Sequence, residues 1–153
     1  MINEGLIFTG ILEWKHWNGE NELISEGIIH NQIQDELFQE AIDALQGGTW
    51  DNPIVALGIG TGTGQNTTDT VLSSIVSHVA GGGGLTLSQT SASVLQAVGM
   101  FTDIRNTPTI TEASLNGDSS ASDHMYAYND GLSVSIGGTS DTLQITWTIT
   151  ASV

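Results

Sequence analysis

Hydrophobic and polar residues alternate most regularly near the C-terminus of the chain. Over 143–149 large apolar side chains alternate with threonine and glutamine, and over 132–136 they alternate with serine. Successive side chains of a strand point to opposite faces of its sheet, so each segment has one dry face and one wet face. The pattern predicts two strands, joined by the turn sequence GGTSD at 137–141.

The N-terminal segment also has the composition of strands. Residues 6–17 and 22–29 are rich in β-formers and flank the sequence NGEN, which predicts a hairpin with a tight turn at Asn18-Gly19. The apolar run NPIVALGIG at 52–60 is too short for a helix and predicts a buried strand. Shorter β-rich segments predict further strands near 93–102, 108–114 and 123–128.

One segment has helical periodicity instead. Its apolar positions recur at the spacing of a single helix face, which predicts an amphipathic helix over 32–46. We expect Asn31 to cap its N-terminus and Gly47-Gly48 to end it in a left-handed conformation. The apolar positions are Leu37, Phe38, Ala41, Ile42 and Leu45.

Two segments are less regular. Residues 68–80 leave helix and strand open, because their apolar residues recur at helical spacing but many are β-branched. The glycines of AGGGG at 80–84 predict a surface loop. The whole pattern predicts a mainly β fold, an antiparallel β-sandwich of jelly-roll or immunoglobulin-like type, with one amphipathic α-helix near residues 32–46. Residues 1–153 are predicted to form a single β-sandwich structural domain.

The charge of the chain narrows the classes of partner. There are 17 acidic residues against Lys15 and Arg105, and the formal net charge is −15. Nucleic acids and anionic membranes attract basic proteins, so neither is an expected partner. The start of the chain has Glu4 and Glu13 among its apolar residues and predicts neither a signal peptide nor a membrane span. Because salt screens self-repulsion, the acidity suits a saline, halophilic habitat.

The glycine-rich sequence GIGTGTGQNTTDT at 58–70 has the look of a phosphate-binding loop. The spacing G-x-G-x-x-G is not met, because neither position 63 nor position 65 is glycine, and no lysine follows as a P-loop requires. We therefore expect no nucleotide cofactor. We predict a strand-exit loop with local side-chain hydrogen bonds from Thr67, Thr68 and Asp69.

No residue pattern predicts catalysis. The chain has no cysteine, and none of its histidines lies in a hydrolase motif or at paired metal-ligand spacing. A polar loop offers oxygen ligands for a hard cation such as calcium, but without EF-hand spacing; it contains Asn116, Asp118, Asp123 and His124. We expect no catalytic, cofactor-binding or metal-binding residue and no enzyme activity. The other histidines are His16, His30 and His78.

The tryptophans are the remaining candidates for binding. Trp14 and Trp17 lie on opposite faces of the first predicted strand, so one of them is expected to be less buried. An exposed ring suits sugar stacking or a subunit contact, and core packing is the alternative. Trp147 is expected in the core.

The order of several segments resembles that of small β-rich structural proteins of tailed bacteriophages and archaeal viruses, which decorate heads or belong to tails. The resemblance spans most of the chain and carries over no catalytic residue. The segments are IIHNQIQDELFQEAIDALQGG at 28–48, IVALGIGTGTGQNTTDTVLSSIV at 54–76, TITEASL at 109–115 and SDTLQITWTITASV at 140–153.

This resemblance implies a non-enzymatic virion protein, a capsid decoration (cement) protein on the outer head surface, assembled in the host cytoplasm. The implied partners are the major capsid protein or neighbouring virion proteins and further copies of the chain in a homotrimer, with no nucleic acid and no membrane. Two alternatives stay open. One is a tail, neck or fibre-tip component that contacts the host surface, and the other is a small carbohydrate-binding or carbohydrate-active module using a pair of carboxylates.

Overall fold

The computed structural model of the protein describes residues 5–50, 52–102, 104, 109–137 and 140–152. Their fold is mainly β, as predicted, with one α-helix. None of the helical residues described forms a segment long and apolar enough to cross a membrane. In chain order the elements are β1 (Ile7–Trp17), β2 (Leu23–His30), β3 (Gln32–Ile33), α1 (Asp35–Leu45), β4 (Ala56–Gly60), β5 (Ile75–Gly81), β6 (Gly84–Ser91), β7 (Val94–Phe101), β8 (Glu112–Asn116), β9 (Met125–Asn129) and β10 (Thr142–Ser152).

The ten strands belong to one sheet with the spatial order β2-β1-β10-β7-β6-β5-β4-β8-β9-β3. The sheet is mixed, because β5 and β6 pair in parallel while the other neighbouring strands pair antiparallel. Its two ends approach each other, since the Asn31 N–H, next to β3, donates to the Gly10 carbonyl on β1 at 3.1 Å. The sheet is therefore nearly closed.

The core lies inside this sheet. The alternation predicted for 143–149 is confirmed in β10, where Leu143, Ile145 and Trp147 are buried and the threonines between them are partly exposed. Strands β4, β8 and β9 are buried at every position. The helix α1 packs on β9, and from the segment 61–74 Leu72 joins a second buried cluster with Met125 and Tyr128.

The helix begins later than predicted. It runs over Asp35–Leu45 instead of 32–46, because Gln32 and Ile33 pair with β9 as a strand. The prediction that Asn31 caps the helix was wrong. Gln34 occupies the N-cap position without a side-chain cap bond. The first helical N–H, that of Asp35, donates to the Thr67 carbonyl at 2.8 Å. The predicted left-handed end is confirmed by Gly47, with φ +91°.

The β1–β2 hairpin is confirmed, but its tight two-residue turn is not. The connection covers residues 18–22, and the Asn18 carboxamide oxygen accepts hydrogen bonds from the N–H groups of Glu20 and Glu22 at 2.9 and 3.0 Å. Asn21 takes the positive φ, at +59°. One side chain therefore organises a wider loop than the Asn-Gly rule predicts.

Other boundaries differ because strand partners lie far away along the chain. The open segment 68–80 forms a strand only from Ile75, and the predicted loop 80–84 is a short turn between β5 and β6. Residues 132–136 keep the predicted alternation of burial but form only an isolated bridge, between Val134 and Ile110. The segments near 93–102, 108–114 and 123–128 correspond to β7, β8 and β9; residues 105–108, and 138–139 of the predicted GGTSD turn, lie outside the described part.

Candidate functional site

The glycine-rich segment 58–70 passes beside a buried carboxylate. A Cβ atom added at Gly60 would lie 2.5 Å from Glu112 Oε1, and one added at Gly62 would lie 2.9 Å from the same oxygen. The glycines therefore allow the backbone to approach Glu112 closely. A carboxylate at this position repels an anion, so the loop has the wrong charge for a phosphate.

Glu112 is fully buried and links the residue before β5 to β9. Its Oε1 accepts a hydrogen bond from the Ser74 N–H at 3.1 Å, and its Oε2 accepts one from the Tyr128 hydroxyl at 3.4 Å. Burial, followed by nearby carboxylates, raises the pKa of Tyr128 to about 12, so the hydroxyl keeps its proton at neutral pH. These contacts give Glu112 a structural role.

The predicted local hydrogen bonds of the loop are confirmed for two residues. The Asn66 N–H donates to Asp69 Oδ2 at 2.8 Å, and the Thr68 hydroxyl donates to Asn66 Oδ1 at 2.5 Å. Thr67 contributes its carbonyl, which accepts from the start of α1. The Gln34 side chain donates to the carbonyls of Asn66 and Asp69 at 2.7 and 2.9 Å, which fixes the loop against the helix.

The polar loop that contains Asn116, Asp118, Asp123 and His124 does not bring these four candidate ligands together. The Asp118 carboxylate accepts hydrogen bonds from the hydroxyl and N–H groups of Ser120 and Ser122, which hold its pKa well below its usual range. Asn116 is buried and donates from its side chain to the Asp123 carbonyl at 2.8 Å. Asp118 and Asn116 therefore organise the turn, and neither joins His124 in a ligand group.

His124 instead meets Glu36, which the sequence did not indicate. His124 Nδ1 is hydrogen-bonded to Glu36 Oε1 on α1, and His124 Nε2 lies 3.9 Å from Asp123 Oδ2. The hydrogen bond to Glu36 raises the pKa of His124 most, and the charges of Glu36, Asp123 and Glu40 add to it against partial desolvation. Within the described ranges these three side chains are the group that could hold a metal ion, with ligand atoms within 4.8 Å of one another.

This group connects two elements even without an ion. The carboxylate of Glu36 and the imidazole of His124 join the first turn of α1 to the loop before β9. His124 has a left-handed backbone conformation, with φ +51°, which directs the loop toward the helix. The contact between the imidazole of His124 and the carboxylate of Glu36 explains why these side chains lie together. We therefore assign no cation to this group.

The other histidines lie apart from this group. His16 is buried on β1, and its Nε2 is 2.8 Å from Asp141 Oδ2, just before β10. The same carboxylate oxygen accepts the Gly137 N–H at 3.0 Å, so the pair fixes the entry into β10. His30 and His78 are exposed on β2 and β5.

The tryptophans divide between core and surface. Trp147 is fully buried, as predicted. Trp14 and Trp17 are both half-buried, and Trp14 packs against the core. Trp50, which was not singled out from the sequence, is 38% exposed. Its ring packs edge to face against the Tyr126 ring, with 6.4 Å between the ring centroids.

A cavity of about 250 Å³ opens beside α1 at one end of the sheet. None of its lining side chains is charged, so it offers no pair of carboxylates for glycoside hydrolysis. Its apolar lining includes Phe8, Leu37, Trp50, Ile54, Leu95 and Ile149.

Charged residues are unevenly distributed over the strands of the sheet. Strands β10, β7, β6 and β5 are consecutive in the sheet, and none of them contains Asp, Glu, Lys or Arg. The acidic residues of the described part lie elsewhere, on β1, β2, α1, β8 and the connecting loops. Since the chain has a net charge of −15, its surface is divided into an acidic region and an uncharged region.

Comparison of the chain with models of protein families, with curated proteins and with solved structures found no match. The resemblance to virion proteins therefore stays a prediction from the sequence, and the function is inferred from the surfaces described above.

Proposed function

We propose that this chain is a non-enzymatic virion structural protein, a decoration protein on the outer surface of a capsid head, with its sheet arranged as a β-sandwich. The observation that carries the proposal is the division of the surface into an acidic region and the uncharged strands β10, β7, β6 and β5. Neutral strands suit lasting contacts with neighbouring proteins, because no charged group has to be desolvated there.

The acidic region supports the outer location. Proteins that contact packaged nucleic acid neutralise its phosphates with lysine and arginine, of which this chain has two in total. The proposed partners are the major capsid protein or neighbouring virion proteins and further copies of this chain, in a trimer. Many weak, identical contacts on a shell add up to firm attachment without one large interface.

The test is the location and copy number of the chain in purified particles. Particles are separated into heads and tails, and the chain is quantified by mass spectrometry against the major capsid protein. We expect it with the heads, at a copy number approaching that of the capsid protein, and accessible to antibody on intact heads. Recovery with tails alone indicates a tail component, and absence from particles contradicts a virion function altogether.

A further inference from the structure

We propose that the outward face of β10, β7 and β6 is the surface through which the chain binds a second copy of itself. This adds a contact surface to the self-association in the proposed function and rests on that part of it; two identical faces in contact form a two-fold pair, so this contact links copies in pairs and is not the contact within the trimer. The face, called here the uncharged face, consists of Thr142, Gln144, Thr146, Thr148 and Thr150 on β10, Val94, Gln96, Val98 and Met100 on β7, and Thr86 and Ser88 on β6.

Strand register brings these side chains into continuous rows. Thr148 lies opposite Gln96, which lies opposite Ser88, and the neighbouring row consists of Thr146, Val98 and Thr86. The other side of β10 and β7 faces the core, where Trp147, Ala97 and Phe101 are buried. The uncharged face is therefore a rigid sheet surface whose side chains are partly or fully exposed.

The charge of the chain favours a second copy of the chain as the partner that binds the uncharged face. A second copy brings the same net charge of −15, so close approach through the acidic region would place carboxylates within the screening length of about 8 Å at physiological ionic strength. Two copies that meet through the uncharged face keep their carboxylates apart. The charges at the border of the face are on β1 and β2: Glu13 and Lys15 lie opposite Thr146 and Gln144, and Glu26 lies opposite Lys15. A basic partner would instead bind the acidic region.

The size of the face predicts a weak contact. Three strands spaced about 4.8 Å apart and roughly 30 Å long present a flat area of about 400 Å². The adjoining residues Ile7, Thr9 and Ile11 of β1 lie beside β10 and widen it by one strand. A standard interface buries about 800 Å² on each partner, so we expect association at high protein concentration that strengthens in an array.

Two matched substitutions test this surface. Gln96→Glu places a carboxylate in the middle of the uncharged face, and Gln39→Glu places the same charge on the exposed face of α1. Sedimentation velocity over a wide concentration range, in physiological and molar NaCl, measures self-association of the isolated chain. We expect the wild type and Gln39→Glu to associate alike and Gln96→Glu to associate at least about tenfold more weakly.

Each result decides the proposal. A wild-type chain that stays monomeric at the highest concentration and salt overturns it, and so does equal weakening by both substitutions, because net charge would then be the cause. Thermal melting shows whether Gln96→Glu folds; if it does not, Thr86→Glu on the exposed strand β6 replaces it. If the wild-type chain is monomeric but the Gln96→Glu variant is lost from heads, the uncharged face binds another virion protein. That result overturns the self-association and leaves the proposed function standing. Self-association without any location in particles refutes the proposed function alone.

Discussion

Trp14 and Gly27 lie directly opposite each other on β1 and β2, and the indole of Trp14 covers the glycine. A Cβ atom added at Gly27 would lie 2.0 Å from Cη2 of the indole. The edge strand β2 therefore has a glycine at the position that the indole of Trp14 on β1 covers. Trp14 packs against the core in this position, so the pair joins the edge of the sheet to its interior.

Gly27→Ala should therefore destabilise the protein. The methyl group forces the rigid indole away from the core, and overpacking of this kind costs about 1–3 kcal/mol. Denaturant unfolding measures the effect, with Gly81→Ala as the control, because an added Cβ at Gly81 meets nothing within 4 Å. Trp14→Phe combined with Gly27→Ala should recover part of the loss, since a smaller ring leaves room for the methyl group. Equal stability of the Gly27→Ala and control variants would contradict the contact.

Gly62→Ala tests the close approach of the glycine-rich loop to Glu112. An added Cβ would meet Ser73 Oγ at 1.8 Å and the buried Glu112 carboxylate at 2.9 Å. The exposed Ser73 hydroxyl can rotate away, but the Glu112 carboxylate accepts hydrogen bonds from Ser74 and Tyr128, so either these bonds or the loop have to shift. We expect a loss of about 1–3 kcal/mol in the free energy of unfolding. Gly81→Ala again serves as the control. A Gly62→Ala protein as stable as the control would show that the loop does not lie against Glu112.

Local patterns predicted those elements whose environment repeats along the sequence. The alternation over 143–149 gave β10 because one face of that strand packs on the core along its whole length. The helix was recognised from its apolar face, but its start was not. Gln32 and Ile33 pair with β9 as a strand, and the Thr67 carbonyl accepts a hydrogen bond from the first helical N–H. The β-branched stripe in 68–80 fits helix and strand alike, and pairing with β4 decides it.

The candidate sites show the same limit. His124 and Asp123 are neighbours in the sequence, but Glu36 comes from 88 residues away from His124, and nothing local indicates that partner. The sequence also has no charged residue over 70–102 and over 142–153. That these two segments supply consecutive strands follows from the order β10-β7-β6-β5, which residue pattern alone does not specify.

The contact between His124 and Glu36 predicts a dependence of stability on pH. The folded protein raises the pKa of His124, first through its hydrogen bond to Glu36. A raised pKa stabilises the fold fully below the unfolded value of about 6.5, and this stabilisation is lost as pH rises through the folded value. Because His124 is partly exposed, the effect should stay below about 1 kcal/mol.

Glu36→Gln should remove most of this effect. NMR titration of the His124 ring should show its pKa falling toward the ordinary value, and the unfolding free energies of wild type and variant should converge as pH rises above the folded pKa. Glu20→Gln in the β1–β2 connection removes the same charge from a residue that is not among the groups that shift the pKa of His124, and it is the control. If both variants leave the His124 titration unchanged, the hydrogen bond is not formed in solution.

The acidity of the chain predicts stabilisation by salt. With 17 acidic residues against two fixed cations, repulsion among carboxylates opposes the compact state, and it is strongest where screening is weakest. The screening length falls from roughly 30 Å at about 0.01 M to roughly 3 Å at about 1 M NaCl. The melting temperature should therefore rise over this range, and each gain of about 1 kcal/mol corresponds to roughly 2–4 °C for a chain of this size. An uncharged osmolyte such as sucrose stabilises by exclusion from the surface without screening, so NaCl should raise the melting temperature beyond the effect of sucrose at matched osmolarity. A melting temperature that stays flat or falls with NaCl would refute the inference of a saline habitat and leave the acidity to solubility and the avoidance of nucleic acid.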